Sequence, residues 1–317
     1  MKWIFQKKWS VIGIAIFCSL LWGSAFPVLK VSYEELQMSP DDVIAKVVFA
    51  GIRFLLAGLL VLGFLLIIKP KRIVVSKRSF LILLLLGVIQ TALQYFFFYN
   101  GLAKVSGMQG AILSTVGTFF TVILAHYYYK NDRLNWKKSI GLLAGFTGIV
   151  IANWGQELSI SFQWDGEGYM ILAGLTGAIA TIMAKELTNG IDPFAITGWQ
   201  LSLGGLIMLI IGLPMMHTGS ITFTPFGWGL LIYSAVLSAV AFGLWYSLLK
   251  YNHAGEITIY KFIVPVSGTI LSAIFIPGEK LNLYILVAIA MVAIGIIVLN
   301  YRGKGNKANK KTEKIAS

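Results

Sequence analysis

Two cations stand inside runs that are otherwise apolar: Lys261 in ITIYKFIVPVSGTILSAIF and Arg53 in FAGIRFLLAGLL. A cation near the middle of such a run is unfavourable by about 2.5–3.5 kcal/mol on insertion scales, so it requires compensation, and holding an anion supplies it. Lys261 lies about 10 Å along its helix from Ala254 at ~1.5 Å per residue, too deep for its side chain to reach the surface easily. Its chemistry would be to grip a carboxylate or similar anion. The alternative is a structural pairing with Glu256 or with backbone carbonyls freed by Pro265. Arg53 has the same two readings.

Other polar groups share faces with these cations. Thr258, Lys261, Pro265, Gly268 and Ser272 recur at helical spacing, as do Ala111, Ser114, Thr118, Thr121 and Ala125. Gln90 and Gln94 lie with Gly87 and Gly101 on a third face, and Ser234, Ser238, Ala241 and Trp245 on a fourth. Polar atoms at bilayer depth face protein or water, which places these stripes toward the inside of a bundle. The competing reading is that small and hydroxyl residues only let helices pack closely. Among the aromatics Trp22, Tyr95, Tyr99, Trp199, Trp245 and Tyr260, either interfacial anchors or walls of a solute site, Trp22, Trp245 and Tyr260 are the preferred cavity residues. Pro27, Pro265 and Pro214 are candidate helix breaks or hinges. Gly141 and Gly145 form a GxxxG pair suited to close contact, inside the chain or in a homodimer.

The elements that must position these groups follow from composition. Of 317 residues, 57% are hydrophobic and 12% charged, against about 25% charged in soluble domains. At about 20 apolar residues per crossing, the chain reads as ten transmembrane helices near 9–31, 43–68, 80–101, 107–129, 136–154, 167–187, 193–213, 226–250, 254–276 and 281–301. The excess of 26 Lys+Arg over 13 Asp+Glu sits in short runs between these spans, which argues for membrane orientation and against nucleic acid. With the N-terminus inside, only Lys30, Lys46, Lys104 and Lys280 fall in outside segments, so both termini are expected in the cytoplasm of a plasma-membrane protein. The first span is expected to be retained rather than cleaved as a signal peptide. The lysine-rich 302–317 segment reads as a disordered cytoplasmic tail.

The chain also repeats. FAGIRFLLAGLL at 49–60 lies over ITGWQLSLGGLI at 196–207, FFFYNGLAK over FGLWYSLLK, and LNWKKSIGLLAGFTGIVIAN over LNLYILVAIAMVAIGIIVLN, in the same order at nearly constant spacing. Two halves, 1–154 and 155–301, follow. Because five is odd, the second half enters the membrane inverted, and such repeats place a site near the midplane between them.

LLWGSAF, FAGIRFLLAG and IYKFIVPVSGTILSAIFIPGE resemble the EamA-type, ten-helix members of the drug/metabolite transporter superfamily over nearly the whole chain. The resemblance implies an all-α bundle with helices 1–4 and 6–9 around a central cavity and helices 5 and 10 outside it. It implies solute transport, often export, without fixing the solute. A similar arginine occurs in second helices of that family for many solutes, which is why Arg53 leans structural. One departure is that the acid following helix 4, matching Glu279 after helix 9, is only Asp132 in KNDR.

Several chemistries lack their residues. There is no GxxxxGK[ST] phosphate loop, and His126, His217 and His253 are scattered without metal-ligand spacing. Cys18 is the single cysteine. No cofactor, metal or catalytic residue is expected. The 9–31 span has no carboxylate, unlike small multidrug-resistance relatives. The leading expectation is therefore a secondary transporter of a small amino-acid-like or anionic metabolite. Export of hydrophobic or cationic drugs is the second reading, and a membrane-embedded enzyme or structural subunit the third.

Overall fold

The computed structural model describes residues 2–154, 162–278 and 283–300. In chain order the helices are α1 (Lys8–Glu35), α2 (Val43–Ile68), α3 (Lys77–Lys104), α4 (Gly107–Tyr128), α5 (Trp136–Trp154), α6 (Trp164–Leu187), α7 (Pro193–Met215), α8 (Pro225–Tyr251), α9 (Ala254–Phe275) and α10 (Leu283–Asn300). Among the described residues eight helices, α1–α4 and α6–α9, are found long and apolar enough to cross a membrane by length and composition. The other two border residues outside the described ones and pack on each other. Glu279, the junction at 155 and the 302–317 tail also lie outside the described residues.

Local sequence starts these helices where side chains can satisfy free N–H groups. Asp42 Oδ1 accepts from Ala45 N at 2.8 Å, Thr224 Oγ1 from Gly227 N at 2.9 Å, and Asp192 Oδ1 from Phe194 N at 3.0 Å. Pro193 and Pro225 supply the preset φ at the first helical position. α1 runs 28 residues, about 42 Å at ~1.5 Å per residue, so it exceeds a hydrocarbon core of about 30 Å. It therefore reaches Glu34 and Glu35, beyond the expected end at 31, and Glu35 accepts from Thr224 Oγ1.

Burial runs inside-out, as a lipid solvent requires. Leu59, Leu60, Phe64, Ile67, Ile210 and Ile211 are exposed, whereas Ser19, Thr91, Thr197 and Gln200 are buried. The main helix pairs are α2 with α7, α5 with α10, α4 with α9, α1 with α8 and α9, α6 with α3 and α4, α3 with α7, α2 with α8, α7 with α8, and α2 with α3. Exchanging each helix for the one five places along maps this set onto itself.

Glycine lets the α2–α7 backbones meet. A Cβ on Gly58 would lie 2.4 Å from Ser202 N, and one on Gly205 would lie 2.5 Å from Leu55 N. Backbone cannot swing aside, so Gly58→Val is expected to lose about 1–3 kcal/mol, measured by denaturant unfolding of the purified protein in micelles. The GxxxG pair of α5 works inside the chain: Gly141 faces the Gly295 carbonyl, and Gly145 faces the Phe262 ring.

Pro27 does not break its helix, since α1 continues unbroken through it. Pro214 falls in the 3₁₀ turn Leu213–Met215 that closes α7.

Candidate substrate cavity

Three helices lose regular α geometry where they approach the interior. α3 contains a π turn over Gly87–Leu93, carrying Gln90. α4 is interrupted at Ser114–Thr115, where Ser114 Oγ donates to the Ala111 carbonyl at 2.6 Å. α9 tightens into 3₁₀ over Ile259–Phe262 before resuming at Ile263. Pro265 explains the last of these, because it has no N–H for the carbonyl four residues back, that of Lys261, and its ring crowds that carbonyl. The break thus precedes Pro265 rather than falling on it.

These irregular turns border a cavity of about 130 Å³, near the ~150 Å³ that admits a benzene-sized molecule. Of the residues expected there, Trp22, Arg53, Gln90, Gln94, Ser114, Thr118, Trp245 and Lys261 line it. Tyr260, Ser238 and Thr258 do not. In a 3₁₀ turn, adjacent residues point about 120° apart, so Tyr260 cannot share the direction of Lys261. The Tyr260 side chain is buried, and its carbonyl accepts from Ser19 Oγ at 3.1 Å. Thr258 is buried a turn earlier on the helix. Ser238 acts one step away, by accepting from Arg53.

The Lys261 ammonium lies 5.0 Å from the Trp22 ring centroid and 4.8 Å from that of Trp245. The two indoles meet edge to face at 5.2 Å. Among the described residues no carboxylate ion-pairs with Lys261, and Glu256, its suggested partner, is exposed. A desolvated cation–π contact contributes about 2 kcal/mol, so two ring faces offset an insertion cost of about 2.5–3.5 kcal/mol. The N–H donors of the ammonium remain available. Trp245 Nε1 is buried and among the described residues has no hydrogen-bond partner, although buried indole N–H groups usually find one.

Arg53 is held more tightly. Its Nε donates to the Ser234 carbonyl and to Ser238 Oγ, each at 3.1 Å, and Nη1 donates to Tyr99 Oη at 2.8 Å. The guanidinium stacks over Phe54 at 5.1 Å. It joins α2 to α3 and α8 while one side borders the cavity. Interhelical polar contacts in membranes average about 0.6 kcal/mol, so Arg53→Leu is expected to lose about 2 kcal/mol of unfolding free energy, with Arg53→Lys recovering part of it. Equal stability of all three proteins would contradict this.

The sequence reading missed the contribution of α6. Ala173, Gly174, Gly177, Ala178 and Thr181 form one wall of the cavity. Their spacing was a usable signal, but small residues read equally well as packing. A Cβ on Gly177 would lie 2.9 Å from Gln94 Nε2, so this glycine makes room for Gln94, which accepts from Gln90 Nε2. Tyr95, Phe98, Phe242 and Tyr246 complete the apolar walls. Trp199 is elsewhere, donating to the Ile73 carbonyl at 2.9 Å. Among the described residues the lining contains no Asp, Glu, His or Cys, and no cluster of three such groups could hold a metal.

At one end of the bundle Asp132 is buried, ion-paired with Lys138, and accepts from Gly255 N at the start of α9 at 2.7 Å. At other loops, Lys104 pairs with Asp41 and lies 3.7 Å from Asp165, while Lys46 donates to the Ser39, Pro40 and Asp42 carbonyls. The hydrogen bond from Lys104 holds the Asp41 carboxyl below the usual carboxylate range.

A family model described as the EamA-like transporter family matches residues 9–154 and again 164–301. The chain belongs to this family. Relatives include the protein named uncharacterized transporter YvbV of Bacillus subtilis, 26% identical over 302 residues and 92% of each chain. A second is an uncharacterized transporter of Acidianus ambivalens, 27% identical over 82% of this chain and 96% of its own. A WAT1-related chloroplastic protein of Arabidopsis thaliana is 22% identical over 93% of this chain and 69% of its own. A crystal structure at 13% identity aligns with a TM-score of 0.73 over 92% of this chain and 96% of that one, a likeness of fold. This EamA-family chain is thus a multi-pass membrane protein of a transporter family.

Proposed function

We propose that the chain is a secondary transporter that moves a small anionic or amino-acid-like metabolite by alternating access, without nucleotide hydrolysis and in the direction of export. The observation that carries this is the charge of the cavity: among the described residues Lys261 and Arg53 are its only charged lining residues. A carboxylate would meet the ammonium, while the Trp22 and Trp245 rings would pack a small apolar body.

In this reading ten helices cross the plasma membrane as two inverted five-helix repeats, residues 1–154 and 155–301, with both termini in the cytoplasm. The helix pairing that maps onto itself supports the repeat. So do the breaks in α4 and α9, which fall at Ser114 and Lys261, positions equivalent between the repeats. Irregular turns paired in this way are what a midplane site between half-helices requires.

The aromatic walls alone would equally suit a hydrophobic or cationic drug, the second reading. Two lining cations without a carboxylate weigh against a cationic solute through like-charge repulsion.

The test is flux through purified protein in liposomes lacking nucleotide, with a panel of carboxylates, zwitterionic amino acids and organic cations. Saturable movement of carboxylates or amino acids is expected. Movement confined to organic cations, or none across the panel, would overturn the proposal.

A further inference from the structure

A second basic site lies away from the cavity and shares no lining residue with it. The end of α2, the loop and start of α3, the start of α7, the end of α8 and the N-terminal Lys2 segment enclose a groove of about 970 Å³. Five cations border it: Lys2, Lys69, Lys71, Arg72 and Lys250. Among the described residues Asp192 is its only carboxylate, and that group is already engaged, ion-paired with Arg72 and capping α7. Lys2 sits 6.0 Å over the Tyr251 ring. Among the described residues Lys69, Lys71 and Lys250 have no carboxylate partner.

The groove is apolar along one wall, and that wall is open. Phe64 and Ile68 are each 53% exposed on α2, and Phe194 contacts Phe64 with ring centroids 6.4 Å apart. On a helix that crosses a membrane, such side chains face acyl chains. A soluble anion would account for the lysines but would leave this wall without an occupant. An ionic head joined to an apolar tail accounts for both. Basic pockets at helix ends facing an anionic leaflet take headgroups of this kind.

We propose that this groove binds an anionic phospholipid of the surrounding bilayer, with the phosphate against Lys69, Lys71 and Lys250 and an acyl chain along Phe64 and Ile68. The occupant is anchored in the membrane, so it is distinct from the transported solute.

The experiment is native mass spectrometry of the full-length protein released from micelles containing equimolar phosphatidylglycerol and phosphatidylcholine. Wild-type protein is expected to retain phosphatidylglycerol preferentially. The triple variant Lys69→Gln, Lys71→Gln, Lys250→Gln should lose roughly hundredfold in that preference, about fivefold per lysine. A charge-matched control, Lys7→Gln, Lys130→Gln, Arg133→Gln, removes three exposed cations outside the groove and should keep the preference. If the triple variant is not monodisperse, Lys71→Gln alone, at an exposed side chain, should still show the fivefold loss.

Equal retention of the two lipids by wild type would overturn the proposal. So would an equal loss in the control, which would mean diffuse surface charge. Displacement of the lipid by millimolar inorganic phosphate would also overturn it, in favour of a soluble-anion vestibule.

Discussion

The Lys261→Met variant is expected to fold as stably as wild type and to bind an anionic solute at least roughly thirty-fold more weakly, with transport of that solute lost in proportion. Removing one partner of a buried charge pair at a binding site typically costs about 2–5 kcal/mol, and about 2 kcal/mol already corresponds to thirty-fold. Stability should not suffer, because among the described residues the ammonium has no carboxylate to leave behind and methionine fills similar volume between Trp22 and Trp245. Binding by calorimetry or ligand-induced thermal shift, read beside unfolding of the unliganded protein, separates the two effects. Unchanged affinity would remove Lys261 from the site. A collapse in stability would make it structural.

Asp132→Ala should show the opposite profile. Its carboxylate is buried together with the Lys138 ammonium, with side-chain exposures of 1% and 2%, and it also accepts the Gly255 N–H across to α9. Breaking a buried pair by removing one partner leaves an uncompensated charge, an effect of about 3–5 kcal/mol. Exposed pairs contribute about 0–1 kcal/mol. Arg72→Ala, at a pair whose arginine side chain is half exposed, should therefore scarcely move the unfolding free energy, whereas Asp132→Ala should lower it by about 3 kcal/mol or more. Equal effects of the two substitutions in denaturant titrations would contradict the assignment of Asp132 as a buried tie.

Which features could be read from the sequence depends on how each one signals. Lys261, Arg53, Gln90, Gln94, Ser114 and Thr118 announce themselves because a polar group inside an apolar run must face protein or water, and the cavity gathers all six. Trp22 and Trp245 were legible as walls for a charged or ring-bearing group, though not as the pair that cages Lys261. Tyr260 was misplaced because aromatic type alone does not say which face a residue takes, and adjacent residues on either an α or a 3₁₀ helix point about 100–120° apart, so the neighbour of Lys261 turns into the packing. The π turn in α3 and the interruption in α4 are invisible to regular helical periodicity. The α6 wall was missed because glycine and alanine at helical spacing fit close packing and cavity lining alike. Asp132 sits in KNDR, which reads as a solvated loop; only the folded chain brings Lys138 and the α9 N-terminus around it. The spans themselves follow from length and apolarity, and caps such as Thr224 and Asp42 set their starts.

The cavity charge is tested most directly by counterflow in liposomes with a matched pair of solutes, a small carboxylate that the protein transports and its isosteric amide. Two lining cations predict exchange of the carboxylate at least tenfold faster than the amide, with the difference abolished in Lys261→Met. Equal exchange of carboxylate and amide by the wild-type protein, or faster exchange of the corresponding amine, would contradict an anionic solute held at Lys261.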